Sequence, residues 1–561
     1  MLLCVLRRSL SFALVFLVAL GGCGDNASVP PGDAASSQDG GLLDGAPDGT
    51  PEFPVLRLGD VVDLPSGEGG AREIAFKAER GAEKYLAVLF SPTWTASGDV
   101  SYTVRLEAGF TTQSVPRNAQ QGQALRQASL GSSRASPAHL ADLPAVVQAL
   151  HKRQGHVAHP FPSPPPQLGE IRSFKLLGDN RVVTVDAQAA HIGSNVVFWL
   201  DVTGDPSHSI PPAEISPEDM AAITSQYEDI VLPRERIFFG DESDVDGNGL
   251  VFVLLSAIVH ENNGPTAYFY PCDLLAPGTL GCAYSNEAEI LYLTPPNAIE
   301  PPFNTVRAIV EVMAHETNHM VFFNTKYLAH PTTPDVENMY LLEGWAALAQ
   351  NLTGYQRGNK YVAWYGQNLI MDLSAYAILE DGGLYNMDFD GAWRGGSYLL
   401  QQYLYDRAGG DHALGGNDFE DLGGITWTRD IFNSGDTGIA NLRARIPGNL
   451  EDVLFDFFTA LAMTNRGPDH GPISSDPRFN YKAVEIDPVT GATRGHDAYG
   501  QLNPGMAMTG PKTFPLAEAD GVMLPTGVEY LEFGAEQAGI LRLRVEAAPE
   551  WALRVRLCMI E

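Results

Sequence analysis

The chain of 561 residues is long enough for more than one folded unit, and its 44% hydrophobic content supports packed cores rather than general disorder. Its 36 Lys and Arg stand against 68 Asp and Glu, a net charge of −32, which argues against nucleic acid as a partner and against a polybasic membrane-surface protein. Five cysteines without a Cys-x-x-Cys pair leave zinc ribbons and iron–sulfur clusters unsupported.

In chain order, Arg7 and Arg8 precede the apolar run Ser11–Leu20, too short to span a bilayer comfortably and suited to an export signal over residues 1–22. The run ends in Leu20-Gly21-Gly22-Cys23, which resembles the lipobox of bacterial lipoproteins. That resemblance implies cleavage before Cys23 and lipidation of its thiol. The expected location is the bacterial cell envelope, with the chain anchored at Cys23 or secreted. Residues 23–52, rich in Gly, Asp, Ser, Ala and Pro, read as a flexible tether. Residues 53–108 form a small β-rich module, with strands at Tyr85–Phe90 and Val100–Leu106. Residues 109–167 read as a linker or propeptide-like segment with one helix near Leu143–His151.

From residue 168 to 490 a catalytic-sized domain is expected. Strands are predicted at Arg181–Asp186, Asn195–Asp201 and Leu250–Leu255, and a helix over Pro217–Ile230 capped by Ser216. Asp244, Asp246 and Asn248, followed by Gly249, copy the first half of a calcium loop, but Leu255 stands where the twelfth-position Glu belongs. Calcium is therefore a possible ligand there, and a plain polar turn is the simpler reading. Export makes a Cys272–Cys282 disulfide plausible and leaves Cys558 unpaired. Residues 500–561 return to β texture, with alternation in Leu541–Val545 and Leu553–Leu557, as a C-terminal module.

The chemistry concentrates in Val306–Phe323, an amphipathic helical pattern carrying His315-Glu316-Thr317-Asn318-His319. Residues four apart share a helix face, so both imidazoles can address one metal ion while Glu316 reaches its edge. A catalytic zinc needs a third protein ligand. Phe322 and Thr325 occupy the positions where a metzincin has Gly and His. Asp335 follows a Thr-Pro pair, and His330 precedes Pro331 in a loop reading. Glu343, in the small-residue helical stretch Tyr340–Ala349, is the best candidate.

His315–Asn324 (HETNHMVFFN) followed by Leu341–Gln350 (LLEGWAALAQ) resembles the hyicolysin-type zinc metallopeptidases, peptidase family M30 of the gluzincins. Asp244–Gly249, Ser285–Leu293 (SNEAEILYL) and Arg394–Arg407 add to the likeness, which covers about residues 180–465. It implies an α+β fold with a thermolysin-like catalytic domain, zinc on His315, His319 and Glu343, and hydrolysis of protein or peptide substrates with Glu316 as general base. Tyr398 is the candidate oxyanion donor, with Tyr403 and Tyr405 as neighbouring alternatives. Many gluzincins carry an acid four residues beyond the third ligand; here that position is Ala347, and Glu311 is a weak substitute for orienting a histidine. No Gly-x-Met-Glu-Asn signature precedes the motif, which favours endopeptidase over aminopeptidase action. The alternative is a non-catalytic surface lipoprotein with a structural or degenerate zinc site.

Overall fold

The computed structural model describes residues 52–94, 100–107, 110–111, 143–152, 163–179, 181–333, 335–356, 391–467, 471–497, 499, 501–503, 506–507, 510–511, 513–516, 519–523 and 525–561. The expected export signal, the tether and Cys23 lie outside the described residues, as does most of 109–167. The described residues form an α+β protein.

The first strands are β1 (Val61–Asp63), β2 (Arg72–Ala78), β3 (Lys84–Phe90), β4 (Val100–Glu107) and β5 (Phe110–Thr111), followed by helix α1 (Leu143–Lys152). Next come β6 (Ile171–Gly178), β7 (Arg181–Ile192), β8 (Val196–Asp201), α2 (Pro217–Gln226), α3 (Leu232–Phe238), β9 (Val251–Leu255), β10 (Ala267–Phe269) and β11 (Ile290–Leu293). Helices α4 (Val306–Phe323), α5 (Met339–Leu352) and α6 (Gly391–Ala408) precede the hairpin β12 (Asp411–Gly415) and β13 (Asp418–Asp421). Then follow α7 (Gly424–Phe432), α8 (Gly438–Arg445) and α9 (Leu450–Met463). The short strands β14 (Glu485–Ile486), β15 (Thr493–Arg494), β16 (Gln501–Asn503) and β17 (Met506–Ala507) lead to β18 (Phe514–Pro515), β19 (Ala519–Met523), β20 (Val528–Ala535), β21 (Gly539–Ala547) and β22 (Arg554–Met559).

The β-rich stretches at residues 53–108 and 500–561, expected as separate modules, are one sandwich. One sheet runs β1-β22-β3-β20-β18, with β5 on β20; the facing sheet runs β19-β4-β21-β2. Strand β3 therefore lies between two strands from the far end of the chain. It is buried on both faces, which explains its unbroken apolar sequence. Tyr85, Ala87 and Leu89 fill the sandwich interior, while Leu86, Val88 and Phe90 join the larger core. Phe90 meets Phe455 and Phe458 of α9, with ring centroids 5.5 and 5.4 Å apart. Arg556 of β22 is buried against the same helix and pairs with Asp456 at 2.8 Å.

The six-stranded central sheet has the order β10-β11-β9-β8-β7-β6. Strands β8, β9 and β11 are parallel and almost wholly apolar, as strands covered on both faces must be. Helix α2 starts where Ser216 Oγ accepts from Asp219 N–H (3.0 Å), as read from sequence, and its last turn widens over Tyr227–Val231 before α3. Helix α1 buries Val146, Val147 and Leu150 in the main core, so this part of 109–167 is packed structure rather than linker. Cys272 and Cys282 are bonded to each other, and the Cys558 thiol is buried and free. No helix among the described residues is long and apolar enough to cross a membrane.

Candidate metal centre

Helix α4 spans the bounds read from its periodicity. Thr305 Oγ1 caps it by accepting from Ala308 N–H (3.3 Å). The two inner residues of the motif anchor the helix rather than face the site. Thr317 Oγ1 and the Tyr227 hydroxyl share a hydrogen bond of 3.0 Å. Asn318 Nδ2 donates to Glu235 Oε2 at 3.1 Å. Burial pushes Glu235 up to about 8, against the pull of that hydrogen bond. These two contacts fix the rotation of α4, so His315 and His319 share the opposite stripe.

Helix α5 begins with Asn338 Oδ1 accepting from Tyr340 N–H (2.9 Å). Its far end is held by Arg234, which is fully buried and donates to the Thr353 carbonyl (2.9 Å), the Gly416 carbonyl (2.8 Å) and Asp487 Oδ2 (2.7 Å). A cation at a helix C-terminus satisfies carbonyls that have no partner within the helix. Gln350 Nε2 donates to the Glu311 carbonyl (3.0 Å), tying α5 to α4.

The packing of these helices brings Glu343 onto the two histidines. His315 Nε2 lies 3.4 Å from Glu343 Oε2, and His319 Nε2 lies 3.9 Å from Glu343 Oε1. The imidazole rings are nearly perpendicular at 87°, with centroids 4.8 Å apart. One donor atom from each of the three residues lies within 4.8 Å of the others, so the trio could hold a metal ion. Glu343 and His319 are buried, and His315 keeps a partly open face. Glu316 Oε2 accepts from Phe269 N–H (2.9 Å), which sets the motif's carboxylate against edge strand β10.

The other expected site residues are placed as follows. Tyr398 is buried in α6, and its hydroxyl donates to Gln356 Oε1 (3.2 Å) and the Gly495 carbonyl (3.5 Å); burial raises its pKa. Glu311 is fully buried one turn before His315. Asp335 is exposed outside the helices. In the acidic loop, Asp244 Oδ1 accepts from Gly249 N–H (3.0 Å), and Asn248 Nδ2 donates to Asp246 Oδ2 (2.5 Å). Gly247 and Gly249 both have positive φ, at 67° and 70°, which is why glycines stand there. The residue that joins this loop is Glu289, which sequence reasoning passed over: Asp244, Asp246 and Glu289 form a second group able to hold a metal. Its only signal was an acid placed directly before an apolar strand. A search of protein-family models and of curated proteins found nothing that matches this chain.

Proposed function

We propose that this chain is an exported, lipid-anchored zinc endopeptidase of the gluzincin type, with a thermolysin-like catalytic domain. The observation that carries the reading is the convergence of His315, His319 and Glu343 beside the motif's own Glu316. Two imidazole nitrogens and one carboxylate oxygen are a donor set that zinc takes at catalytic sites, with a fourth position left open. Bonds of about 2.05 Å to a tetrahedral ion space the donors by about 3.3 Å. The 3.4 Å between His315 and Glu343 fits that spacing, and the 3.9 Å from His319 closes with a small side-chain shift.

His315, His319 and Glu343 would hold the zinc, which when bound would supply Lewis acidity towards a scissile carbonyl and lower the pKa of water towards neutrality. Glu316 acts as general base: its carboxylate takes the proton of the attacking water and passes it to the leaving amine. The N–H of Phe269 holds Oε2 of that carboxylate in one orientation. Among the described residues strand β10 is the edge of the central sheet, so an extended peptide adding to it would lie beside Glu316. This supports a polypeptide rather than a small-molecule substrate. The leader and Cys23 extend the proposal to the cell envelope.

The test compares the soluble form, begun after Cys23, with its Glu316→Gln variant for zinc content and casein hydrolysis. One zinc in each, with activity lowered at least about 10²-fold in the variant, is expected. Zinc in both with activity in neither would favour the non-catalytic lipoprotein, and no zinc in either would refute the reading.

A further inference from the structure

A second cluster of ligating groups lies where two strands of the central sheet begin. Glu289 precedes β11, and the acidic loop Asp244–Gly249 precedes β9. The two strands pair in parallel, with Ile290 opposite Phe252, and Phe252 N–H donates to the Glu289 carbonyl (2.7 Å). Their starts therefore meet. Asp244, Asp246 and Glu289 each offer a carboxylate oxygen, all within 4.8 Å of one another.

Three carboxylates so placed repel, and two of them are buried: Asp246 is 2% exposed and Glu289 1%. Glu289 Oε1 accepts from Ser243 Oγ (2.7 Å) and Val245 N–H (2.7 Å). Among the described residues no donor meets its buried Oε2. A carboxylate oxygen removed from water and left without a donor is costly, and a bound cation is one of the few things that offsets it. The guanidinium of Arg172 acts on Asp246 only at long range; its hydrogen bond goes to Glu170 Oε1 (3.1 Å), and it lies over Trp199 and Phe252.

We infer that Asp244, Asp246 and Glu289 form a calcium site distinct from the zinc centre, in which Glu289 supplies the acid that the loop's own sequence lacks at Leu255. Three carboxylates with no nitrogen or sulfur donor form a hard, all-oxygen set, which calcium takes with about six to eight ligands in flexible geometry. Magnesium demands near-ideal octahedral geometry and gives up its waters reluctantly, so a cluster of protein carboxylates of this kind suits it less. The ion ties the loop to the start of β11. That strand pairs with β10 through Leu291 and Phe269, and Phe269 holds Glu316. The site thus braces the sheet edge that borders the metal centre.

The test is thermal unfolding of the zinc-loaded Glu316→Gln protein, which cannot digest itself, titrated with calcium or magnesium chloride in metal-stripped buffer. A saturable rise in the midpoint of a few degrees is expected with calcium, and at most a marginal one with magnesium. Glu289→Gln keeps both acceptor contacts of Oε1 and removes one charge. It should melt at or above the parent without calcium and below it with calcium. Asp244 is exposed, so Asp244→Asn leaves the core intact and should weaken the calcium response about tenfold or more in concentration. Zinc content, measured alongside, should be unchanged in both variants. The inference is overturned if the parent shows no saturable calcium response up to several millimolar, or if both variants respond as the parent does.

Discussion

Gly344 directly follows Glu343, the proposed third ligand, and its hydrogen is where α5 touches α6. A Cβ built there would collide with Ser397 Oγ and stand 2.9 Å from both the Ser397 carbonyl oxygen and Gln401 Cγ. The hydroxyl can rotate away, but the carbonyl belongs to the backbone of α6. Ordinary contact begins at 3.4 Å, so Gly344→Ala must push the helices apart by about 0.5 Å. Metal–ligand distances tolerate about 0.2 Å. The shift therefore displaces Glu343 by more than the site can absorb, and zinc affinity should fall about 10- to 100-fold, as it does when a ligand is misoriented. Stability carries two opposed terms. Alanine in a helix gains about 1 kcal/mol over glycine, while overpacking costs about 1–3 kcal/mol. A net loss of up to about 2 kcal/mol is expected, and Gly344→Val, bulkier and a poorer helix former, should lose more on both counts. Competition with a chromogenic zinc chelator measures affinity, and thermal unfolding of the metal-free protein measures stability. Unchanged affinity with a raised melting point in Gly344→Ala would refute the packing argument.

Two further predictions concern the sandwich. Glu83 accepts from the N–H groups of Glu79 (2.9 Å), Arg80 (2.7 Å) and Ala82 (2.9 Å); although burial opposes ionisation, these bonds hold its carboxyl down at about 2. Its folded pKa lies below the unfolded value of about 4.3, so the stability it contributes is present above that value and lost as the pH falls towards 2. Glu83→Gln should therefore melt below the parent at pH 7, with the gap narrowing between pH 4.5 and 2; a constant gap would contradict the assignment. In the second, removing only Arg556 leaves Asp456 buried without its cation, which costs about 3–5 kcal/mol. Arg556→Met combined with Asp456→Asn should be less destabilised in urea than Arg556→Met alone, and a purely additive pair would rule out the coupling.

Helix α4 was legible because everything that defines it is local. The apolar spacing and the four-residue step from His315 to His319 both lie within one stretch of chain. The same holds for the strand runs and for the Ser216 cap of α2. The convergence of Glu343 on the two histidines was reachable because it stands on the next helix, near in sequence. The roles of Thr317 and Asn318 were not, since their partners Tyr227 and Glu235 stand on α2's extension and α3. The contacts of the Tyr398 hydroxyl with Gln356 and the Gly495 carbonyl were likewise not legible, since both partners are distant in sequence.

The sequence by itself determined the main helices and strands and the His315–His319 pair able to address one ion, because periodicity and spacing act over one or two turns. The tertiary structure alone decided what meets what. Strands from the two ends of the chain interleave into one sandwich, Arg234 reaches Asp487, and Glu289 meets Asp244 and Asp246 from more than forty residues earlier. Strand pairing and ligand convergence depend on how distant surfaces bury one another, and no local pattern records that choice.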